Sequence, residues 1–112
     1  MIEKSINAKN SLVIVPAFNE GRIVSSTIDN LSEYFKNILI IDDGSIDNTL
    51  EESIQSLSTI VLHHPCNCGQ GRALRTGINF FLEKTNFEYL ITFDADGQHY
   101  PLDALKMLNF AV

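Results

Sequence analysis

Two carboxylates one residue apart, Asp94 and Asp96, follow an apolar run in this chain of 112 residues. At i and i+2 just past a strand end, both can turn toward one hard cation. Mg²⁺ and Mn²⁺ take oxygen ligands and commonly share them with substrate phosphates. Gln98 adds a neutral oxygen at i+4. Taken alone, the same residues also suit a solvated turn with an acidic helix cap, because aspartate favours both. A calcium-binding loop starting at Asp94 is excluded. His99 stands where that loop needs glycine, and Leu105 where it needs a bidentate glutamate.

A second cluster runs from Ile41 to Thr49, with Asp42, Asp43, Gly44, Ser45 and Asp47. Gly44 allows a tight turn, and Asp47 with Thr49 suits ordinary capping of the next helix. Asp43 would reach a crevice, where a carboxylate accepts a hydrogen bond from a base N–H or a ribose hydroxyl. Adjacent carboxylates in a crevice repel, so a ligand is expected to compensate one of the Asp42–Asp43 pair. A third cluster spans Asn67 to Gly77. Its glycines open a helix, where backbone N–H groups and the positive helix end attract an anion. Arg72 and Arg75, the only Lys or Arg between Lys36 and Lys84, sit near that start and suit a diphosphate contact. A glycine-rich loop with exposed arginines is the plain alternative. A Walker A loop is excluded, since no Gly-Lys-Ser/Thr follows, and the Rossmann glycine fingerprint is absent after the first strand.

Charge decides how the clusters combine. Glu20, Asp43, Asp94 and Asp96 would make one crevice strongly anionic and repel a phosphate-bearing ligand unless a divalent cation intervened. The expected ligand is therefore a metal–diphosphate complex, with carboxylates holding the cation, the nucleoside hydroxyls and the base.

These residues need a frame that brings them together. Four apolar runs have strand character: Ser11–Pro16, Asn37–Asp42, Thr59–His63 and Phe87–Phe93. Helical spacing follows each. The marks are Ile23, Val24, Ile28, Leu31 and Phe35, then Leu50, Ile54 and Leu57, then Ala73, Leu74, Ile78, Phe81 and Leu82. A last helix opens at Pro101 and carries Leu102, Leu105, Met107 and Leu108. Phe80, Phe81, Leu82, Tyr89 and Phe93 read as core. The alternation predicts an α/β fold, a mainly parallel sheet with helices on both faces. In such sheets ligands bind at the carboxyl ends of the strands, where the strand order reverses. With the order 3-2-1-4, Glu20 and Asp94 face each other across that reversal.

Composition narrows the classes. Length allows one domain, 1–112. Eight basic against fourteen acidic residues give a net charge of −6, which argues against non-specific nucleic-acid binding. Two cysteines make no disulfide framework, and the start of the chain lacks a secretory signal, so a cytoplasmic location is expected. His63-His64-Pro65-Cys66-Asn67-Cys68 does not match a common structural zinc spacing and reads as a plain loop.

Four ordered stretches together carry a family resemblance: Val13–Glu20, Ile41–Thr49, Asn67–Gly77 and Phe93–Pro101. The chain resembles family 2 glycosyltransferases of the GT-A fold, especially polyprenyl- and dolichol-phosphate sugar transferases. The resemblance implies a Rossmann-like nucleotide-binding half. Pro16, Phe18 and Glu20 would line the nucleoside pocket, and Asp43 would contact the base. Arg72 would approach the diphosphate. Asp94 would meet the ribose or the metal, and Asp96 and Gln98 the metal. Asn19, Arg75 and His99 match motif positions without an assigned contact. The implied cofactor is Mg²⁺ or Mn²⁺. The implied donor is a UDP-, GDP- or dTDP-linked sugar, and the acceptor a polyprenyl phosphate or a saccharide, with inversion at the anomeric carbon. A lipid acceptor would bring the protein to the cytoplasmic face of a membrane. Catalytic domains of the family run longer, so the chain is expected to be incomplete at its C-terminus, with any general base outside it. An exposed edge at the fourth strand would favour a homodimer.

Three other readings compete. Phe93–Gly97 also resembles the first motif of haloacid-dehalogenase-type phosphatases, but the downstream motifs they need have no room after Gln98. A receiver-type signalling domain would need a fifth strand and a lysine after it. A non-catalytic nucleotide-sugar-binding fragment, lacking the acceptor half, is the main rival.

Overall fold

The computed structural model describes residues 9–55 and 59–96. They form four strands and three helices. In chain order these are β1 (Ser11–Ala17), α1 (Val24–Ser32), β2 (Ile38–Asp42), α2 (Thr49–Ile54), β3 (Thr59–His63), α3 (Gln70–Lys84) and β4 (Tyr89–Thr92). The predicted helix after Pro101, together with Gln98 and His99, lies outside the described residues, as does Leu57.

All strand pairs are parallel, as the alternation of elements predicted, and the order is β3-β2-β1-β4, the one expected for the fold that the chain resembles. The register sets Ala17 beside Asp42 and Asp42 beside His63, so these three residues form one row across the top of the sheet. The chain steps outward from β1 to β3 and then crosses back to β4, so the order reverses between β1 and β4. Ligands of open α/β sheets bind outside the carboxyl ends of the strands at such a reversal, here β1 and β4.

The central strands are apolar along their whole length because both their faces are covered. Period-2 alternation divides them between two cores. Val13, Val15, Ala17, Ile38 and Ile40 face α1, whose Val24, Ile28 and Leu31, with Phe35 beyond the helix, repeat at helical spacing. Leu12, Ile14, Leu39 and Ile41 pack with Ala73 on the opposite side. Each such aliphatic side chain, fully withdrawn from water, contributes about 1.5–3 kcal/mol relative to exposure. The edge strands β3 and β4 are only half-buried.

Two helical stripes differ from the periodicity. In α2 the buried residues are Thr49 and Ser53, while Ile54 is 58% exposed. The Thr49 hydroxyl accepts the Glu20 N–H at 2.8 Å and donates to Asp47, and this turns the six-residue helix away from its aliphatic stripe. In α3 the buried face is Ala73 and Gly77. A Cβ at Gly77 would come within 2.7 Å of Ile14, so only glycine lets the helix lie this close to β1. That approach directs Phe80 and Phe81 onto the core and leaves Leu82 69% exposed, against the expectation that it is core. Tyr89 and Phe93 do pack on the α1 side.

Candidate functional site

The turn after β1 is held by the loop after β2. Asn19 takes a left-handed conformation, φ 54°. Its backbone N–H donates to Ser45 Oγ at 2.9 Å, and its Oδ1 accepts the Ile46 N–H at 3.0 Å. Gly21 N–H donates to Asp47 Oδ2 at 3.0 Å, and Asp47 Oδ1 accepts the Thr49 N–H at 2.9 Å. Asp47 therefore accepts the N–H of the first residue of α2 from one position before the N-cap, Asn48, and also fixes the backbone beside Glu20. Its hydrogen bonds from the Thr49 hydroxyl, then from the Thr49 and Gly21 amides, hold its carboxyl below the usual aspartate range.

The sheet ladders continue past the strands into the site. Asp43 N–H donates to Ala17 O, and His64 N–H donates to Asp42 O, both at 2.9 Å. Asp42 is fully buried and Asp43 is 3% exposed. Two adjacent histidines answer the two adjacent carboxylates. His63 Nδ1 lies 2.7 Å from Asp42 Oδ2, and His64 Nδ1 lies 2.8 Å from Asp43 Oδ1. The chain's own imidazoles therefore hydrogen-bond both carboxylates, partners that the sequence reading did not name. The parallel register carries this match, since Asp42 and His63 are sheet partners and the next residue of each strand follows on the other face.

Asp43 also accepts backbone N–H groups from Cys68 at 2.9 Å and Gly69 at 2.8 Å. Burial pushes its carboxyl up. The His64 bond and the two amides outweigh that and leave it below the ordinary aspartate value. Gly44, at φ 69°, lets the 66–67 backbone lie against it; a Cβ there would meet the Cys66 carbonyl carbon at 2.2 Å.

On this frame sits a hollow of about 400 Å³, lined by Pro16, Ala17, Phe18, Glu20, Asp43, Asn67, Gly69, Gln70, Ala73, Asp94, Ala95 and Asp96. The size suits a small-molecule ligand. Four lining residues are acidic and none is Lys, Arg or His. Glu20's carboxyl is raised, by desolvation first and then by repulsion from Asp96 and Asp47. The turn carrying Asp94 and Asp96 is anchored by its neighbours: Phe93 and Ala95 are buried in the α1-side core, and Phe93 N–H extends the ladder to Ile14 O at 2.9 Å. Thr27 of α1 donates its hydroxyl to Ala95 O at 3.4 Å.

The structure thus brings together Pro16, Phe18, Glu20, Asp43, Asp94 and Asp96. Phe18 is 40% exposed, an open aromatic face at the rim. Arg72 is exposed in the first turn of α3 and does not line the hollow. Sequence reasoning singled out neither Asn67 nor Gln70 as lining residues; Gln70 Nε2 reaches Asp94 Oδ1 at 3.4 Å. The polar residues flanking Gly69 were the available signal. The oxygen-rich lining fits a hard divalent cation by donor type.

The family model for glycosyl transferase family 2 matches residues 12–112. The uncharacterized protein MJ1222 of Methanocaldococcus jannaschii is 45% identical over 105 residues, covering 93% of this chain and 42% of that protein. The UDP-N-acetylglucosamine–dolichyl-phosphate N-acetylglucosaminyltransferase of Methanococcus voltae is 36% identical over 114 residues, covering 87% of this chain and 45% of that protein. Among solved structures, the glucosyl-3-phosphoglycerate synthase of Mycobacterium tuberculosis, in complex with Mn²⁺, UDP-glucose and phosphoglyceric acid, superposes with a TM-score of 0.69 at 26% identity. It covers 89% of this chain and 38% of that one. The chain spans under half the length of each of these proteins.

Proposed function

The chain belongs to glycosyl transferase family 2, and from that premise we propose that its hollow binds the nucleoside-diphosphate sugar donor of an inverting sugar transfer. The observation that carries the reading is the lining itself: Glu20, Asp43, Asp94 and Asp96 share one hollow at the carboxyl ends of β1, β2 and β4. A diphosphate would be repelled there without a cation to match these charges. Mg²⁺ or Mn²⁺ fits the donor set, and Asp94 and Asp96, with Gln98, would hold it. When bound it would neutralise the charge that develops on the leaving diphosphate.

The remaining roles follow from position. Pro16 and the open face of Phe18 would take the nucleoside, with Glu20 beside its hydroxyls. Asp43 already accepts three hydrogen bonds, so its part would be to fix the pocket wall and offer its remaining acceptor site to a base N–H. Arg72, exposed at the start of α3, would have to swing inward to reach a phosphate. In the transfer the anomeric carbon gains a bond to the acceptor oxygen as its bond to the diphosphate oxygen breaks on the opposite face. The acceptor we propose is a polyprenyl phosphate, the class named for the Methanococcus voltae relative; a saccharide is the other candidate. A non-catalytic nucleotide-sugar binder is less favoured, because named relatives are transferases.

The test is thermal unfolding with UDP-, GDP- and dTDP-sugars, with and without Mn²⁺. One of them should raise the melting temperature only with the ion. Saturation a hundredfold above Kd corresponds to about 2.7 kcal/mol. Asp96→Ala should erase the ion-dependent part. A shift of equal size with and without Mn²⁺, or none with any of the three, would overturn the reading.

A further inference from the structure

We propose that His64, Cys66, Cys68 and Asp43 form a binding site for a thiophilic divalent cation of the zinc class, distinct from the oxygen-rich set at Asp94 and Asp96. The ligand atoms of Asp43, His64 and Cys68 all lie within 4.8 Å of one another. Cys66 lies outside that set of three, but its Sγ is 4.0 Å from Cys68 Sγ, and a side-chain rotation would bring it in as the fourth ligand. Two sulfurs each about 2.3 Å from a tetrahedral zinc are about 3.8 Å apart, so the observed spacing is within a few tenths of an ångström of the bound one.

The mixed donor set selects the ion. Thiolate and imidazole favour zinc-class ions, whereas Mg²⁺ and Mn²⁺ prefer oxygen. The imidazole is already oriented from behind. His64 Nε2 lies 2.8 Å from Thr76 Oγ1 on α3. In the ion-free chain Nδ1 carries a proton and donates to Asp43 Oδ1, 2.8 Å away. A cation would replace that proton between the two atoms, and Nε2 would then donate to the Thr76 hydroxyl. A fixed outer partner for a ligating histidine is the usual arrangement in metal sites.

The backbone carrying the ligands is held without the thiols. Gly44 packs against the Cys66–Asn67 peptide, and Asp43 anchors the Cys68 and Gly69 amides. Both cysteines are exposed, which gives an ion access from solvent. On binding, each thiol would release its proton to water and become a thiolate ligand. The sequence stretch His63–Cys68, dismissed as a plain loop because its spacing is unusual, gains its fourth ligand from another strand end. This inference does not rest on the donor-binding reading.

The test uses Co²⁺ as the probe, added to the full chain kept reduced with a phosphine. One equivalent should produce a near-ultraviolet sulfur-to-cobalt charge-transfer band, and Zn²⁺ should displace it. Cys68→Ser should weaken binding and, at saturating Co²⁺, roughly halve the band, and the double variant Cys66→Ser/Cys68→Ser should abolish it. Cys66→Ser and His64→Gln should each weaken Co²⁺ binding at least about tenfold, as loss of a ligand or its supporting contact does. Asp96→Ala should leave the band intact, which separates this site from the one proposed for the donor. Absence of the band in the unaltered chain overturns the proposal. So does a band that His64→Gln leaves at full affinity, since the thiols would then bind without the imidazole.

Discussion

Asp43 Oδ1 lies 2.8 Å from His64 Nδ1 at the back wall of the hollow, and the same carboxylate accepts the Cys68 and Gly69 amides. One side chain therefore ties the end of β2 to the end of β3 and to the start of α3. Loop positions around the hollow that are far apart in sequence depend on this single group. A buried carboxylate is costly alone, and the three donors around it are what make its burial tolerable.

Removing that carboxylate should cost stability before it affects any ligand. Asp43→Ala strips the Cys68 amide and His64 of this acceptor, while the Gly69 amide keeps Asn67 Oδ1 at 2.9 Å; each buried donor left unsatisfied costs about 1–3 kcal/mol. With part of that loss recovered by solvent at the exposed loop, a net destabilisation of about 2 kcal/mol is expected from urea unfolding. Asp43→Asn keeps one acceptor oxygen and should fall between. An unchanged urea midpoint in Asp43→Ala would show that the loop holds itself.

The same group sets an acid limb. The Asp43 carboxyl sits below the ordinary aspartate value of 3.8 because the His64 and amide bonds outweigh its desolvation. The unfolded chain thus binds that proton more tightly than the folded one. The stabilisation is complete above the unfolded value and is lost as pH falls through the lower folded one. Melting temperature should drop in that acid range, and the drop should be shallower in Asp43→Asn. Equal acid limbs in the two proteins would contradict the assignment.

Gly44 and Gly69 separate strain from crowding. Both have positive φ, 69° and 97°. A Cβ on Gly44 would meet the Cys66 carbonyl carbon at 2.2 Å, whereas one on Gly69 would meet nothing within 4 Å. Gly69→Ala should cost about 1–2 kcal/mol, the backbone term alone. Gly44→Ala should cost more than that, because the 66–67 peptide must move as well. Chemical denaturation of the two variants side by side decides the order; equal losses would mean that the close packing has no energetic weight.

Legibility in the sequence followed the range of the interactions. Three of the four strands, to within one residue at either end, and the parallel sheet were readable because the central strands are apolar throughout and each is followed by a helical period; the strand order came with the family resemblance. Glu20, Asp43, Asp94 and Asp96 were placed in one crevice by topology alone. What escaped depended on contacts between distant residues. The match of His63 and His64 to Asp42 and Asp43 is a register relation between two strands, invisible until they are paired. Ile54 and Leu82 read as core because they keep helical spacing. Hydrogen bonds at Thr49 and the close seat at Gly77 turn other faces inward. Gln70 was passed over because the spatial neighbour that gives it meaning, Asp94, lies 24 positions away.

Glu20 supplies the last prediction, because its charge reports on the hollow. Its carboxyl is raised by desolvation, then by Asp96 and Asp47. The sign is opposite to that of Asp43: the charged form of Glu20 costs the fold, and the cost is relieved as pH falls through its raised value. A divalent cation between the carboxylates would reverse the local balance and favour ionisation. Following the Glu20 carboxyl carbon by NMR across pH, Mg²⁺ should lower its midpoint in the unaltered chain. Asp96→Asn should also lower the midpoint without Mg²⁺, by removing the repulsion, and should blunt the further response to the ion. A Glu20 midpoint that ignores Asp96→Asn would mean that the two carboxylates do not sense each other. One that falls in Asp96→Asn but ignores Mg²⁺ would leave a shared anionic hollow that holds no ion without the donor's phosphates, and the cation would then have to arrive with its nucleotide.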